Sequence, residues 1–379
     1  MRTGEQPLDH VAALDGLRFI AAAIVLIGHS WNCIAKPLAV EIAVRKSVLA
    51  IFINGYGAVH LFFILSGFCL AGSADRVRGF VDLVQFYTRR VFRIHPPYMY
   101  ALLVAWLASF FYDTSKAGGG LTPNALRTAS IHLPFDQLLP YFMYPSPAAD
   151  QLGPAWTLFV EMNFSFLLPF MLWLTRRTHW TVLMVVSLYP LLDPGRLPSF
   201  LNYASHFAMG IAIFKERAWL GQWLARMPRF GQAGFLCLGL GVFALSSMFD
   251  LVFGPGFSFA SSGLAISGVG GSLLLCAAVF FPMVNGALCG QALVYGGRRS
   301  YSFYLLHAPV MFLLTRTISG QVGLTGGSCF IALVFVATTA AAAVSLSVIE
   351  RPTIRLGNAL CRTIARLTRG TAQFSRLAT

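Results

Sequence analysis

Arg18 and His29 stand eleven residues apart in an apolar run that reads as one helix. Eleven steps of 100° leave about 20° beyond three full turns, so the two side chains share a face, roughly 16 Å apart along the axis. That face carries a permanent cation near one end and, past the middle, an imidazole suited to proton transfer near neutral pH. Ionisable groups within apolar spans are costly to keep, so each is a candidate for function. His60, Glu161 and His307 are the others, and Asp15 and Glu350 stand at span ends. A structural histidine and an arginine reaching for the interface would give the same pair without chemistry. The shared face is what weighs towards function.

Further along, Gln85 to Tyr98 reads as a segment between spans that holds Arg89, Arg90 and Arg93. Arg90 and Arg93, three apart, make a fork suited to a phosphate or pyrophosphate. Taken alone, the cluster reads first as a charge block that holds topology. Trp156 is followed five residues later by Glu161, which could orient a histidine, pair with an arginine or hold a proton. Tyr301, Tyr304 and His307 recur every third residue, and could bind a substrate or tie helices together. Gly67, among large apolar residues, reads as a helix-packing position. No nucleophile elbow, phosphate loop, dinucleotide fingerprint or zinc-protease motif occurs. The seven cysteines lack paired spacing, so neither a disulfide framework nor a metal site is expected.

The elements that must position these residues lie in a bilayer. Hydrophobic residues make up 56% of the 379 and charged residues only 11%, which excludes a soluble globular domain and a disordered chain. Ten apolar segments are expected to span, at 14–34, 49–71, 97–112, 154–175, 179–193, 199–214, 231–249, 263–284, 300–315 and 327–349. The fifth and sixth are short and flanked by Pro190, Pro194 and Pro198. With the N-terminus in the cytoplasm, most of the 28 Lys and Arg fall in cytoplasmic segments, as the positive-inside rule requires. The expectation is an all-α polytopic bundle with both termini cytoplasmic. It divides into an N-terminal segment 1–13, a membrane domain 14–350 and a basic tail 351–379 laid on anionic lipid. The net charge of +14 is thus a topology signal, and nucleic acid is not an expected partner. The Gly- and Pro-rich connection 113–153 faces the other side, as a candidate acceptor-binding loop.

Taken in order, these motifs resemble the bacterial membrane acyltransferase family 3, the integral-membrane O-acyltransferases. Arg18 with His29 is similar to the family's first-helix basic–histidine element, and Phe62 to Phe68 to its second-helix motif. Arg90-x-x-Arg93 resembles its arginine motif, and Trp156 to Glu161 its tryptophan–glutamate element. Ser300 to Pro309 resembles its late tyrosine–histidine–proline element, and Glu350-Arg-Pro352 the end of its domain. The resemblance covers about residues 10–355. It implies transfer of an acyl group, acetyl first, from acyl-CoA to a hydroxyl of a carbohydrate or glycolipid, in the bacterial inner membrane and without a metal. On that reading Arg18, Arg90 and Arg93 hold the CoA phosphates and His29 is the general base, with Glu161 as its partner. Trp156, Tyr301, Tyr304 and His307 then contact substrate. The competing expectation is a proton-coupled transporter using intramembrane His and Glu; it calls for repeated halves with matching broken helices, and none is evident.

Overall fold

The computed structural model describes residues 12–112, 120–129, 134–145, 153, 155–192, 197–253, 259–315 and 324–377. Among the described residues the regular elements are all helices, apart from one isolated bridge between Ile34 and Leu121. In chain order the helices are α1 (Ala12–Cys33), α2 (Leu38–Arg45), α3 (Ala50–Ile53), α4 (Gly55–Ala74), α5 (Phe80–Ser109), α6 (Pro123–Ala129), α7 (Phe135–Met143), α8 (Ala155–Arg177) and α9 (Trp180–Leu192). There follow α10 (Ala204–Lys215), α11 (Arg217–Ala225), α12 (Arg229–Phe253), α13 (Phe259–Phe280), α14 (Pro282–Leu288), α15 (Gln291–Gly297), α16 (Ser300–Leu314), α17 (Leu324–Ser345) and α18 (Arg351–Leu377).

Among the described residues six stretches are long and apolar enough to cross a membrane: α1, α4, α8, Arg229–Met248, Gly263–Phe280 and the run Thr325–Thr368. α9 and α16 contribute shorter apolar helices. α5 has the length but carries Arg89, Arg90 and Arg93.

That helix corrects the expected third span. The arginines do not lie in a loop that ends at residue 97; α5 continues through Pro96 and Pro97 to Ser109. Two prolines in succession remove the N–H groups that would bond the carbonyls of Phe92 and Arg93. Tyrosine hydroxyls tie the surrounding stretch to its neighbours: Tyr301 Oη donates to the Ile94 carbonyl and Tyr98 Oη to the Tyr141 carbonyl, both at 2.8 Å.

The centre of the bundle is a close crossing of α4 and α10. A methyl on Gly67 would overlap the Phe207 carbonyl, and one on Gly210 the Ile64 carbonyl, so only hydrogen fits at either position. Gly67 is thus a packing position, as its neighbours in sequence imply. On this crossing stack Phe63, Phe207 and Phe164, with ring centres 5.5 and 4.2 Å apart in turn. At one end of the bundle Asp75, which caps α4, receives Arg176 of α8 and Lys215 of α10, each nitrogen 3.4 Å from Oδ1. α18 packs its first turns on α5, with Gly357 against Phe92 and Cys361 Sγ 3.5 Å from the Gln85 carbonyl. Between α17 and α18, residues Leu346–Glu350 form a π-turn whose wider pitch turns Glu350 inward, where Ser302 Oγ donates to it at 2.8 Å.

Candidate active site

α1, α4, α5, α8, α16 and the π-turn enclose a cavity of about 580 Å³. This is the size of a ligand site for a medium-sized molecule. Six arginines line it: Arg18, Arg76, Arg89, Arg90, Arg93 and Arg298. Three acids, Asp15, Glu161 and Glu350, also face it, so the lining is cationic by three charges.

The arginines differ in what they already hold. Arg18 donates from Nη1 to Asp15 Oδ1 and from Nη2 to Cys69 Sγ, both at 3.0 Å. Arg90 donates from Nη2 to Glu161 Oε1 at 2.9 Å and from Nε and Nη2 to Ser165 Oγ at 3.2 and 2.9 Å. The Ser165 hydroxyl donates in turn to the Glu161 carbonyl one helical turn back, at 2.7 Å. Arg93 makes no hydrogen bond or ion pair with any described residue and is exposed to the cavity. Its donors are open to an incoming anion, as are those of the exposed Arg298, whose side chain likewise bonds no described residue.

Tyr304 also lines the cavity; its hydroxyl is 2.9 Å from Thr157 Oγ1 and its ring stands 5.6 Å from that of Phe62. One turn beyond Tyr304 on α16 comes His307. Its Nδ1 is 2.6 Å from the Tyr304 carbonyl, and its Nε2 is buried with no hydrogen-bond partner. Against it, 5.2 Å away between ring centres, stands His29 of α1. His29 is exposed and makes no hydrogen bond to any described residue. Neither His29 nor His307 lines the arginine cavity; they lie beyond Tyr304, which does line it and stands one helical turn before His307.

Several expected placements change. Glu161 is held by Arg90 rather than by His29, so of the three roles its sequence context allowed, it is the ion-pair partner. The neighbour of His29 is another imidazole, that of His307. Tyr301 and Tyr304 do line the cavity, but Trp156 does not. Trp156 packs 6.3 Å from Phe63 and 5.6 Å from Tyr203, in an aromatic wall beside it. His60 is also walled off from the cavity. It bonds Ser267 and stacks 4.6 Å from His206, a buried residue on α10 that no sequence signal had singled out. Cys69, Ser165 and Thr157 were likewise missed. Only Ser165 carried a local signal, four residues after Glu161 and hence one turn along the same face. Among the described residues no group of three or more His, Cys, Asp or Glu could hold a metal ion.

Apolar helices of spanning length around a charged cavity are the build of a membrane-embedded protein that works on a polar ligand. Its family gives the chemistry. The chain belongs to acyltransferase family 3, whose acyltransferase-domain model matches residues 11–347. It is 27% identical to "Acyltransferase MdmB" of Streptomyces mycarofaciens, over 91% of this chain and 92% of that relative. It is 30% identical to "Exopolysaccharide production protein ExoZ" of Rhizobium meliloti (strain 1021), over 81% of this chain and 92% of that relative. "Nodulation protein 10" of Rhizobium leguminosarum bv. viciae matches at 29% over 49% of this chain and 50% of that relative. No solved structure matches the chain. The protein is an enzyme that transfers acyl groups.

Proposed function

We propose that the protein moves a short acyl group, acetyl first, from acyl-CoA to a hydroxyl of a carbohydrate or glycolipid in the bacterial inner membrane. The observation that carries this is the placement of His29, which no described residue hydrogen-bonds, beyond a cavity lined by six arginines: Tyr304 lines the cavity, and His307, against which His29 stands, follows one turn later on α16. Arginine forks are matched to phosphate oxygens, and CoA is a thioester carrier with phosphates at one end. Arg93, with its free donors, and Arg18 and Arg90, already oriented by Asp15 and Glu161, hold those phosphates. The pantetheine arm then runs past Thr157 and Tyr304 towards His29, since Ala22 and Val25, on the α1 face between Arg18 and His29, are buried.

At the far end His29 accepts the proton of the acceptor hydroxyl. The hydroxyl oxygen attacks the thioester carbonyl, the carbon–sulfur bond breaks, and CoA leaves as thiolate. The proton on His29 then passes to that thiolate or to solvent, so the enzyme ends as it began. The name of the exopolysaccharide-production relative supports a carbohydrate acceptor. The distribution of Lys and Arg supports ten spans with both termini cytoplasmic, and hence a donor cavity on the cytoplasmic side.

The test is turnover by purified protein in detergent, read as release of free CoA thiol with a panel of acyl chains and polysaccharide acceptors. Acceptor-dependent release from acetyl-CoA, lost in His29→Ala, is expected. No release from any acyl-CoA, with protein shown to be folded, would reject the reading.

A further inference from the structure

A general base that takes a proton on one ring nitrogen must carry its own proton on the other. Something must hold that N–H, or the ring spends its time in the wrong tautomer and orientation. The sequence offered Glu161 for this task, but Glu161 is engaged by Arg90 and Ser165 sits beside both. What faces His29 is His307.

The state of His307 follows from its own bond. A backbone carbonyl can only accept, so the 2.6 Å contact from Nδ1 to the Tyr304 carbonyl requires the proton on Nδ1. Nε2 is then an unprotonated lone pair. It is buried and has no partner, which is an unfavourable state for a polar atom in a membrane interior. Two imidazoles joined edge to edge by a hydrogen bond of about 2.9 Å have centres roughly 5 Å apart. The 5.2 Å between His29 and His307 is that separation. A turn of the His29 ring about its side-chain bonds, with the backbone still, therefore satisfies both residues at once. Exposure fixes which of the two meets substrate: His29 is exposed, whereas His307 is 1% exposed.

We propose that His307 is the positioning residue of this site, its Nε2 accepting the N–H of His29 and so turning the other His29 nitrogen, bare, towards the acceptor hydroxyl. The Tyr304 carbonyl is the third member, locking His307 in the one tautomer that can accept. No carboxylate is needed, which suits a place where an unpaired carboxylate would be expensive. When His29 takes the substrate proton, the charge is shared along the same bond. The proposal rests on His29 being the base.

His307→Leu and His307→Gln separate positioning from packing. Leucine fills space but accepts nothing; glutamine sets its side-chain oxygen near the place of Nε2 without being titratable. His307→Leu should lower kcat by about 10²–10⁴-fold, the upper end being the loss when the group that orients a general-base histidine is removed. KM for acyl-CoA and the unfolding midpoint should change little. His307→Gln should recover at least tenfold of that loss. Equal losses in the two variants, or a loss confined to KM, overturns the proposal. Because wild-type turnover is measured alongside, an active wild type with an unimpaired His307→Leu rejects the positioning role alone and leaves the acyl-transfer reading standing. A second measurement needs no turnover. With ring 15N-labelled histidine, and His29→Ala for assignment, wild-type His29 should show a single tautomer. An even mixture of tautomers in wild type overturns the proposal whatever the variants do.

Discussion

Arg90 Nη2 lies 2.9 Å from Glu161 Oε1 across 71 residues of chain, while Arg93, one turn along the same helix, holds no described residue at all. Two arginines that look alike in sequence thus do different work, and their substitutions should separate. Arg93→Ala should weaken CoA binding by about 1.5–3 kcal/mol, the value of a charge-assisted bond, with the unfolding midpoint unchanged. Arg90→Ala should weaken binding and also lower the midpoint, because it strips Glu161 of its counter-charge in a mostly buried place. Adding Glu161→Gln to Arg90→Ala should restore part of the midpoint but none of the affinity. Titration calorimetry and thermal unfolding in detergent read the two effects; unchanged affinity in Arg93→Ala would refute its role as a phosphate ligand.

His29→Ala should lower acyl transfer by about 10²–10⁴-fold, the range for loss of a general base. Apart from the bond proposed to His307, His29 makes no hydrogen bond to any described residue, so the midpoint should fall little and the affinity for CoA should stay near wild type. Activity within a few-fold of wild type would exclude His29 as the base.

The helix-end tie at Asp75 gives the stability a signed dependence on pH. Burial by itself would raise the Asp75 carboxyl, but Lys215 and Arg176 outweigh it and hold it below its ordinary value of 3.8. A carboxyl depressed in the folded state stabilises above its unfolded pKa, and that stability is lost as pH falls through its folded value. The midpoint should therefore drop below about pH 4. Asp75→Asn should have a slightly lower midpoint at neutral pH and a flatter acid limb. The exposed geometry keeps the effect small, on the order of 1 kcal/mol or less for each ion pair. An acid limb that Asp75→Asn leaves unaltered would remove the tie from the account.

Sidedness is the remaining test. In proteoliposomes of fixed orientation, acyl-CoA should support acylation of an acceptor on the far side only when supplied at the face bearing the arginine cavity. The passage from the arginine cavity to His29 must be lined by protein, since charged groups cannot face lipid there. Equal transfer with donor and acceptor both confined to the cavity side would overturn the transmembrane route and leave the chemistry intact.

What the sequence made legible was whatever depends on period alone. The shared face of Arg18 and His29 needs only 3.6 residues per turn, and α1 delivers it. Pro96 and Pro97 misled, because locally a Pro-Pro pair reads as a break. The hydroxyls of Tyr301 and Tyr98, from far along the chain or bonded to a distant carbonyl, fix this stretch of α5 to its neighbours, and no local rule contains them. Partner choice was out of reach for a similar reason. Glu161 could have met a histidine or an arginine, and only the packing of α5 on α8 decides between them. The inward turn of Glu350 depends on a π-turn that no residue type announces.

The crossing at Gly67 and Gly210 sets where this protein can vary. Chemistry at the arginine cavity tolerates a change of partner or charge in degrees, since each bond contributes its share. The crossing has no such gradation: any side chain there parts α4 from α10, and the stack of Phe63, Phe207 and Phe164 that backs the cavity moves with it. Divergence within such a chain should then be free on the lipid-facing helices and graded at the ligand-binding residues, but forbidden where two hydrogen atoms stand in place of side chains.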